Sequence, residues 1–418
     1  MITDKPMEGS VQELVTFLVA KPIIPRRLYP GGAKVTWFVR IAQIAFGWSQ
    51  LAALRMQRRS IAVIYGSKLA YSSGWVTATM DRINHVALLC LQQGQPFVPV
   101  PMSGAHFVSV FERLGIDYRS SLLSYLSDHS HLAFRGYRAD VPSIVHFGLT
   151  KESQGNVKRH LSGLSRAHAS IGSVIGGIIP RVLFSNELTG NSVLVEDELR
   201  GATLEGPLSR PDIAEIVRVA MAPLQAIQRM SSKPAGDDYA ESMLRELSLL
   251  EKAVPNYCTP IRCGLARLKE WMKSQIIQTV PTHGDYAPRN VFFSEKFSAV
   301  RGIVDWEWYW EDGPVGFDAV KFLLEVEAIQ ERTSIIRILA QFLEVPETVN
   351  CAAAEALICD KISSSSVSYL WHIGLLVWLR ILWMGVVVTK PVSDEWLRDA
   401  VLLPALAAES WYCRIRKG

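Results

Sequence analysis

The spacing of apolar positions changes character about halfway along this chain. Between residues 61 and 100 apolar side chains come in short runs, Ile61–Tyr65, Trp75–Met80, Val86–Leu91 and Phe97–Val100, each bounded by Gly, Ser, Asn or Pro. Runs of that length and punctuation predict strands and turns. Two more strands are predicted at His131–Arg135 and Ser143–Leu149, joined by a turn over Gly136–Asp140, and a second pair at Arg181–Phe184 and Ser192–Glu196. Between the pairs, Val157, Leu161 and Leu164 recur at helical steps and predict a helix over Val157–Ala167. Shorter helical pieces are predicted near Phe107–Leu114 and Ser120–Leu126. After Gly201 the period lengthens, so Pro211–Arg229, Ser242–Lys252 and Ile261–Gln278 read as helices, and the tail from Asp318 to about Ala408 reads as mostly helical. Strands first and helices second predict an α+β fold with its boundary near Glu196–Gly201.

Two apolar segments need a closer reading. Trp37, Ile41, Ile44, Trp48 and Leu51 share one face of a helix predicted within Val35–Leu54, and Arg55, Arg58 and Arg59 follow it. That pattern fits a core-facing helix with solvated arginines. It also fits peripheral contact of residues 35–59 with an anionic membrane surface. A spanning helix wants about 20 apolar residues with few or no charges. Val35–Leu54 contains Arg40, Gln43 and Gln50, and Tyr369–Val388 contains His372 and Arg380. Both are therefore expected to be buried or half-buried helices.

Composition narrows the class. The chain has 418 residues, 49% hydrophobic and 20% charged, enough for two or three domains with sizeable cores. A formal charge of +4 and an isoelectric point near 8.7, with no dense Lys/Arg tract, argue against a nucleic-acid partner. Six cysteines are scattered without a CxxC or zinc-ligand spacing, which suggests a reducing compartment. The first residues carry acids and lack the basic-then-apolar pattern of a signal peptide. The expected location is the cytoplasm, at the inner face of a membrane if residues 35–59 dock there.

The chemistry is concentrated in Pro281–Glu327. Asp285 is followed five residues on by Asn290, and a second acid, Asp305, ends the apolar run Gly302-Ile303-Val304. Mg-dependent phosphoryl transfer needs these residue types. One carboxylate orients an incoming hydroxyl, while an amide and a second carboxylate hold the metal that neutralises the phosphates. Asp285 is the candidate catalytic base, and Asn290 and Asp305 are the candidate metal ligands. Arg289 meets charge building on the transferred phosphoryl group, pairs with an acid such as Glu307, or is solvated. Trp306, Trp308, Tyr309 and Trp310 either line an acceptor pocket or pack a core.

The phrase His283-Gly284-Asp285, Asn290 and then Val304-Asp305 resembles the catalytic core of the aminoglycoside phosphotransferase and choline-kinase-like family. The resemblance implies a bilobal protein-kinase-like fold. Residues 106–198 would form a small strand-rich N-terminal lobe, 199–418 a large helical lobe with the catalytic loop, and 1–105 an extra N-terminal region. The order strand, strand, helix, strand, strand over 131–196 is that of the family's small lobe. The resemblance also implies ATP and Mg²⁺ as cofactors. Glu196 and Glu198 would bind the nucleotide in the hinge-like segment VEDELRG, Asp305 would bridge metal and phosphates, Glu307 would be a further metal ligand, and Asp318 would brace the catalytic loop.

The small lobe departs from the family pattern. His146 or Phe147 stands where the strand lysine belongs, His160 stands near the helix glutamate, and the nearest amines are Lys151 and Lys158. No Gly-rich phosphate loop is present, and Ser127–Ser130 is the only short polar turn before the strand pair. Two functions fit. One is transfer of the γ-phosphate of ATP to a hydroxyl of a small molecule: a sugar, an amino alcohol or an aminoglycoside-like acceptor. The other is a catalytically impaired kinase-like binding protein. The intact Asp285, Asn290 and Asp305 set favours the first, because a binding module needs no such trio.

Overall fold

The computed structural model describes residues 23–25, 53–56, 59–66, 122–126, 131–138, 141–148, 151–188, 191–204, 210–349, 352–358, 366–388 and 393–415. The strands expected at 75–80, 86–91 and 97–100, the helix near 107–114 and the polar turn 127–130 lie outside the described residues. So does the amphipathic helix of 35–54, except Ala53 and Leu54, which open a strand. The chain separates into two compact units, Met1–Ser162 with Arg181–Glu198, and Gly163–Pro180 with Leu199–Gly418.

The first unit is built on one antiparallel sheet. Its strands are β1 (Ile23–Pro25), β2 (Ala53–Met56), β3 (Arg59–Gly66), β4 (Leu122–Leu126), β5 (His131–Arg138), β6 (Val141–Gly148), β7 (Val182–Leu188) and β8 (Asn191–Asp197). They run in the order β1-β3-β4-β5-β6-β8-β7, with β2 paired to β3. Both expected strand pairs are present, and β5 and β6 run closer together than the sequence suggested, with Arg138 paired to Val141. The helix expected near Ser120–Leu126 is instead β4, seated between β3 and β5. A five-residue run is too short to hold a helix by itself, and pairing on both edges decides its conformation. Helix α1 (Lys151–Ile175) follows β6 and is longer than its apolar steps predicted; its first residues, to Ser162, belong to this unit.

The second unit is helical. Its helices are α2 (Arg210–Ser231), α3 (Tyr239–Leu247), α4 (Leu249–Ala253), α5 (Cys258–Ser274), α6 (Phe317–Gln330), α7 (Ile335–Glu344), α8 (Ala352–Ile358), α9 (Ser366–Trp383) and α10 (Asp394–Ile415). Five short strands sit among them: β9 (Lys233–Pro234), β10 (Gln278–Thr282), β11 (Val291–Phe293), β12 (Val300–Ile303) and β13 (Trp310–Pro314). They form a β13-β10-β9 sheet and a β11-β12 hairpin. The α+β order expected from the chain's periodicity is therefore the observed one.

Two helices anchor this unit. Helix α6 is buried on nearly every side, from Phe317 to Leu324, so it has no solvent face and little amphipathicity. Helix α9 begins the one stretch among the described residues, Val367–Val388, that is long and apolar enough to cross a membrane. Its Tyr369, Trp371, Ile373, Leu375 and Trp378 side chains are buried within the unit. The Trp371 indole N–H donates to Leu343 O of α7 at 2.8 Å, and the Trp378 indole N–H donates to Ala400 O of α10 at 2.8 Å. Those bonds satisfy the only polar atoms of two large buried rings.

Candidate active site

The HGD phrase lies immediately after β10, where the strand gives way to a loop. A short 3₁₀ turn, Pro288–Asn290, then leads into β11. The β11-β12 hairpin pairs Val291 with Ile303, and Val304 N–H donates to Asn290 O at 2.9 Å. Pairing thus continues to the foot of the hairpin and sets Asp305 one residue beyond the partner of Asn290.

The loop is braced from α6. Asp318, in the first turn of that helix, accepts His283 N–H at 2.7 Å and Gly284 N–H at 3.0 Å, one on each oxygen. Burial pushes the Asp318 carboxyl up to about 7, against the two N–H donors and Lys321, which favour the charge. The His283 ring supplies the second brace. Its Nδ1 accepts Asp285 N–H at 3.2 Å, so Nε2 carries the proton that Val304 O accepts at 2.9 Å. One imidazole therefore ties the Asp285 backbone to the strand leading to Asp305.

Gly284 sits at φ 83°, in the left-handed region, and a Cβ there would collide with the Trp308 carbonyl oxygen. Gly284→Ala should lower stability by about 1–3 kcal/mol through backbone strain, with the collision adding to it. Urea unfolding checks this, and an alanine variant as stable as the parent would contradict the close approach.

Asp285 is 4% exposed and held by three donors. Lys321 Nζ lies 2.7 Å from Oδ1, Arg289 Nη2 donates to Oδ2 at 2.7 Å, and Asn290 Nδ2 donates to Oδ2 at 3.1 Å. Glu325 closes a four-membered ring of alternating charge, accepting from Arg289 Nη1 at 2.7 Å and from Lys321 Nζ at 2.5 Å. Burial opposes ionisation of Asp285, but the Lys321 ammonium and then the Arg289 guanidinium outweigh it and hold the carboxyl below the usual aspartate value. Burial likewise opposes the Lys321 charge, and Asp285 and Glu325 reverse that and raise its pKa. Arg289 pairs with Asp285 and Glu325, so Glu307 is not the acid it meets.

Asn290 gives its amide hydrogens to Asp285, to the backbone oxygen at 2.9 Å and to the side chain, which turns its amide oxygen away from that carboxylate. Asp305 has φ 68° and ψ 56°, a left-handed conformation that few side chains other than Asn and Asp tolerate. Strain of this kind concentrates at functional sites. Glu307 follows in the short 3₁₀ turn Trp306–Trp308 and is half-buried. Among the described residues, Asp285, Asp305 and Glu307 do not form a cluster of three carboxylates. Around Asp285 the arrangement is one buried carboxylate beside the Asn290 amide.

The aromatics after Asp305 are chiefly core. Trp306, Trp308 and Tyr309 are buried, the Trp306 ring lies 4.6 Å from His283, and its indole N–H donates to Ile303 O at 2.7 Å. Trp310 stacks on Tyr239 with ring centroids 6.4 Å apart.

Glu196 and Glu198 end the first unit. The buried Glu196 carboxylate meets His146 Nε2 at 3.2 Å and His160 Nε2 at 2.9 Å, and Glu198 N–H donates to Pro142 O at 2.8 Å. Burial opposes the Glu196 charge, yet His160 and His146 hold its carboxyl well below the usual glutamate range.

Sequence reasoning missed Lys321 and Glu325. A signal existed, because Asp318, Lys321 and Glu325 are the charged positions of an otherwise apolar stretch, FDAVKFLLEV, and their spacing places them on one helix face.

The model of the phosphotransferase enzyme family matches residues 132–353, more than half of the chain, and that segment contains every residue of the braced loop. No curated protein matches the sequence. Three solved structures illustrate the similarity. A thermostable mutant of aminoglycoside phosphotransferase APH(4)-Ia, in ternary complex with ADP and hygromycin B, is 12% identical over 74% of this chain and 98% of its own, with a TM-score of 0.47. A putative aminoglycoside phosphotransferase from Ralstonia eutropha JMP134 is 12% identical over 74% and 97%, with a TM-score of 0.45. Macrolide 2'-phosphotransferase type I is 13% identical over 73% and 96%, with a TM-score of 0.43. The match of the family model over residues 132–353 carries the assignment: this chain belongs to the phosphotransferase enzyme family.

Proposed function

We propose that the chain transfers the γ-phosphoryl group of ATP, with Mg²⁺, to a hydroxyl of a sugar, an amino alcohol or an aminoglycoside-like acceptor. Its family makes it a kinase-type phosphotransferase acting on small-molecule hydroxyls. The observation that supports the finer reading is the state of Asp285, a buried carboxylate kept ionised by fixed cations. A carboxylate has about four acceptor positions. Lys321, Arg289 and Asn290 fill three, which leaves one for an acceptor hydroxyl.

Asp285 would take the hydroxyl hydrogen bond and aim the oxygen at the phosphorus. In a loose transition state the oxygen keeps its proton until late, so a weakly basic carboxylate serves, and its main contribution is alignment. The proton passes to Asp285 once the new P–O bond has formed. Arg289, the more exposed cation of the ring, would face charge building on the transferred group.

Asn290 and Asp305 suit a hard cation such as Mg²⁺, which typically takes one or two protein carboxylates together with phosphates and water. Glu307 would add a carboxylate two residues beyond Asp305. When bound, the ion neutralises phosphate charge.

Calorimetric titration with ATP tests this reading. Nucleotide should bind in the presence of Mg²⁺, and binding should be lost with EDTA or on Asp305→Ala, with the circular dichroism spectrum unchanged. A wild-type chain that ignores millimolar Mg·ATP would sink the proposal.

A further inference from the structure

We propose that His146, His160 and Glu196 form a binding site for a transition-metal dication of the Zn²⁺ class. The residues come from three elements of the first unit. Strands β6 and β8 pair Ile144 with Glu196 and His146 with Leu194, so His146 and Glu196 project from the same face of the sheet on adjacent strands. Helix α1 delivers His160 to that face. Each imidazole turns Nε2 toward a different oxygen of the Glu196 carboxylate, at 3.2 Å for His146 and 2.9 Å for His160. The ring centroids are 5.2 Å apart, and the three ligand atoms lie within 4.8 Å of one another.

That spacing suits a shared ion. Ligand bonds of about 2.0–2.1 Å in tetrahedral geometry hold neighbouring donor atoms roughly 3.3 Å apart. Two imidazoles and one carboxylate are a borderline donor set that matches Zn²⁺ and its transition-metal neighbours, whereas Mg²⁺ and Ca²⁺ take oxygen ligands. Three protein ligands leave a fourth position for water or another ligand. The site is also enclosed: side-chain exposure is 5% at Glu196, 11% at His160 and 13% at His146. Burying a carboxylate and two titratable rings where apolar side chains would pack is costly, and a bound dication offsets that cost. Among the described residues this is the only such group of His, Cys, Asp and Glu. Glu196 also belongs to the segment expected to hold the nucleotide, whereas Asp285, Asn290 and Asp305 lie outside this group, so Zn²⁺ binding and Mg·ATP binding are measured separately and either can fail alone.

The test uses the full chain, stripped with chelator and titrated with ZnCl₂ in excess MgCl₂. Wild type should bind one equivalent of Zn²⁺ and melt at a higher temperature with it. His160→Ala and Glu196→Gln should each lose that equivalent. Co²⁺ added to wild type gives a readout that needs no variant. Ligation by imidazole and carboxylate gives visible d–d bands, whereas binding by cysteine adds a thiolate charge-transfer band. No bound ion in wild type, a thiolate band, or an equivalent retained by both variants would overturn the site and leave a hydrogen-bonded Glu196 with two histidines.

Discussion

Asp285→Asn should reduce kcat by about 10²–10⁴-fold, the range typical of a lost general base. The change is nearly isosteric. The amide oxygen can still accept on one side of the ring, while its NH₂ group meets a donor on the other, so some stability is lost, and the side chain can no longer orient a hydroxyl as an anion or take its proton. KM for nucleotide should move little, because nothing in the proposed mechanism has Asp285 touch nucleotide before transfer. The measurement is ADP release from Mg·ATP with an aminoglycoside, sugar or amino-alcohol acceptor, alongside circular dichroism. Turnover within a few-fold of wild type would remove Asp285 from the chemistry.

Lys321→Met should give the largest loss of stability, about 3–5 kcal/mol, which is the cost of breaking a buried ion pair from one side. Lys321 is 3% exposed and touches both Asp285 and Glu325. Removing it leaves the Asp285 charge buried with Arg289 and Asn290 alone. The sign of the accompanying pH effect follows. Lys321 is the strongest influence lowering the Asp285 pKa, so its loss raises that pKa and moves the acid limb of turnover to higher pH. Urea unfolding reads the first effect and a pH–rate profile the second. In the double variant with Asp285→Asn the two losses should fall short of their sum by about 0.5–3 kcal/mol, because the groups touch. A loss under about 1 kcal/mol in the single variant would mean that the ring is not held as described.

How far the sequence could be read depended on the range of the interactions. The contact between Asp285 and Asn290 was legible because a short loop joins them, and local spacing carries over into local geometry. The strands flanking α1 were legible for the same reason. The β4 segment was not, because its five residues fit either state and its neighbours in the sheet made the choice. Lys321 is far from Asp285 in sequence and reaches it only through the packing of α6 beneath the loop. The same holds for His146, His160 and Glu196. The sequence marked the two histidines only as substitutes for an expected lysine and glutamate. Their meeting at one carboxylate depends on the β6-β8 register and the placement of α1, and neither is encoded in spacing.

The three donors around Asp285 have a consequence for economy in the cell. An unoccupied, fully solvated carboxylate near a phosphoryl donor would activate water as readily as an alcohol, and the nucleotide would be consumed to no end. Here three donors leave about one acceptor position on the carboxylate, and a stray water there would lack the rest of an acceptor to hold it in line. In the proposed reaction the ring of counter-charges would guard against futile hydrolysis, so that turnover in the absence of an alcohol should be slow.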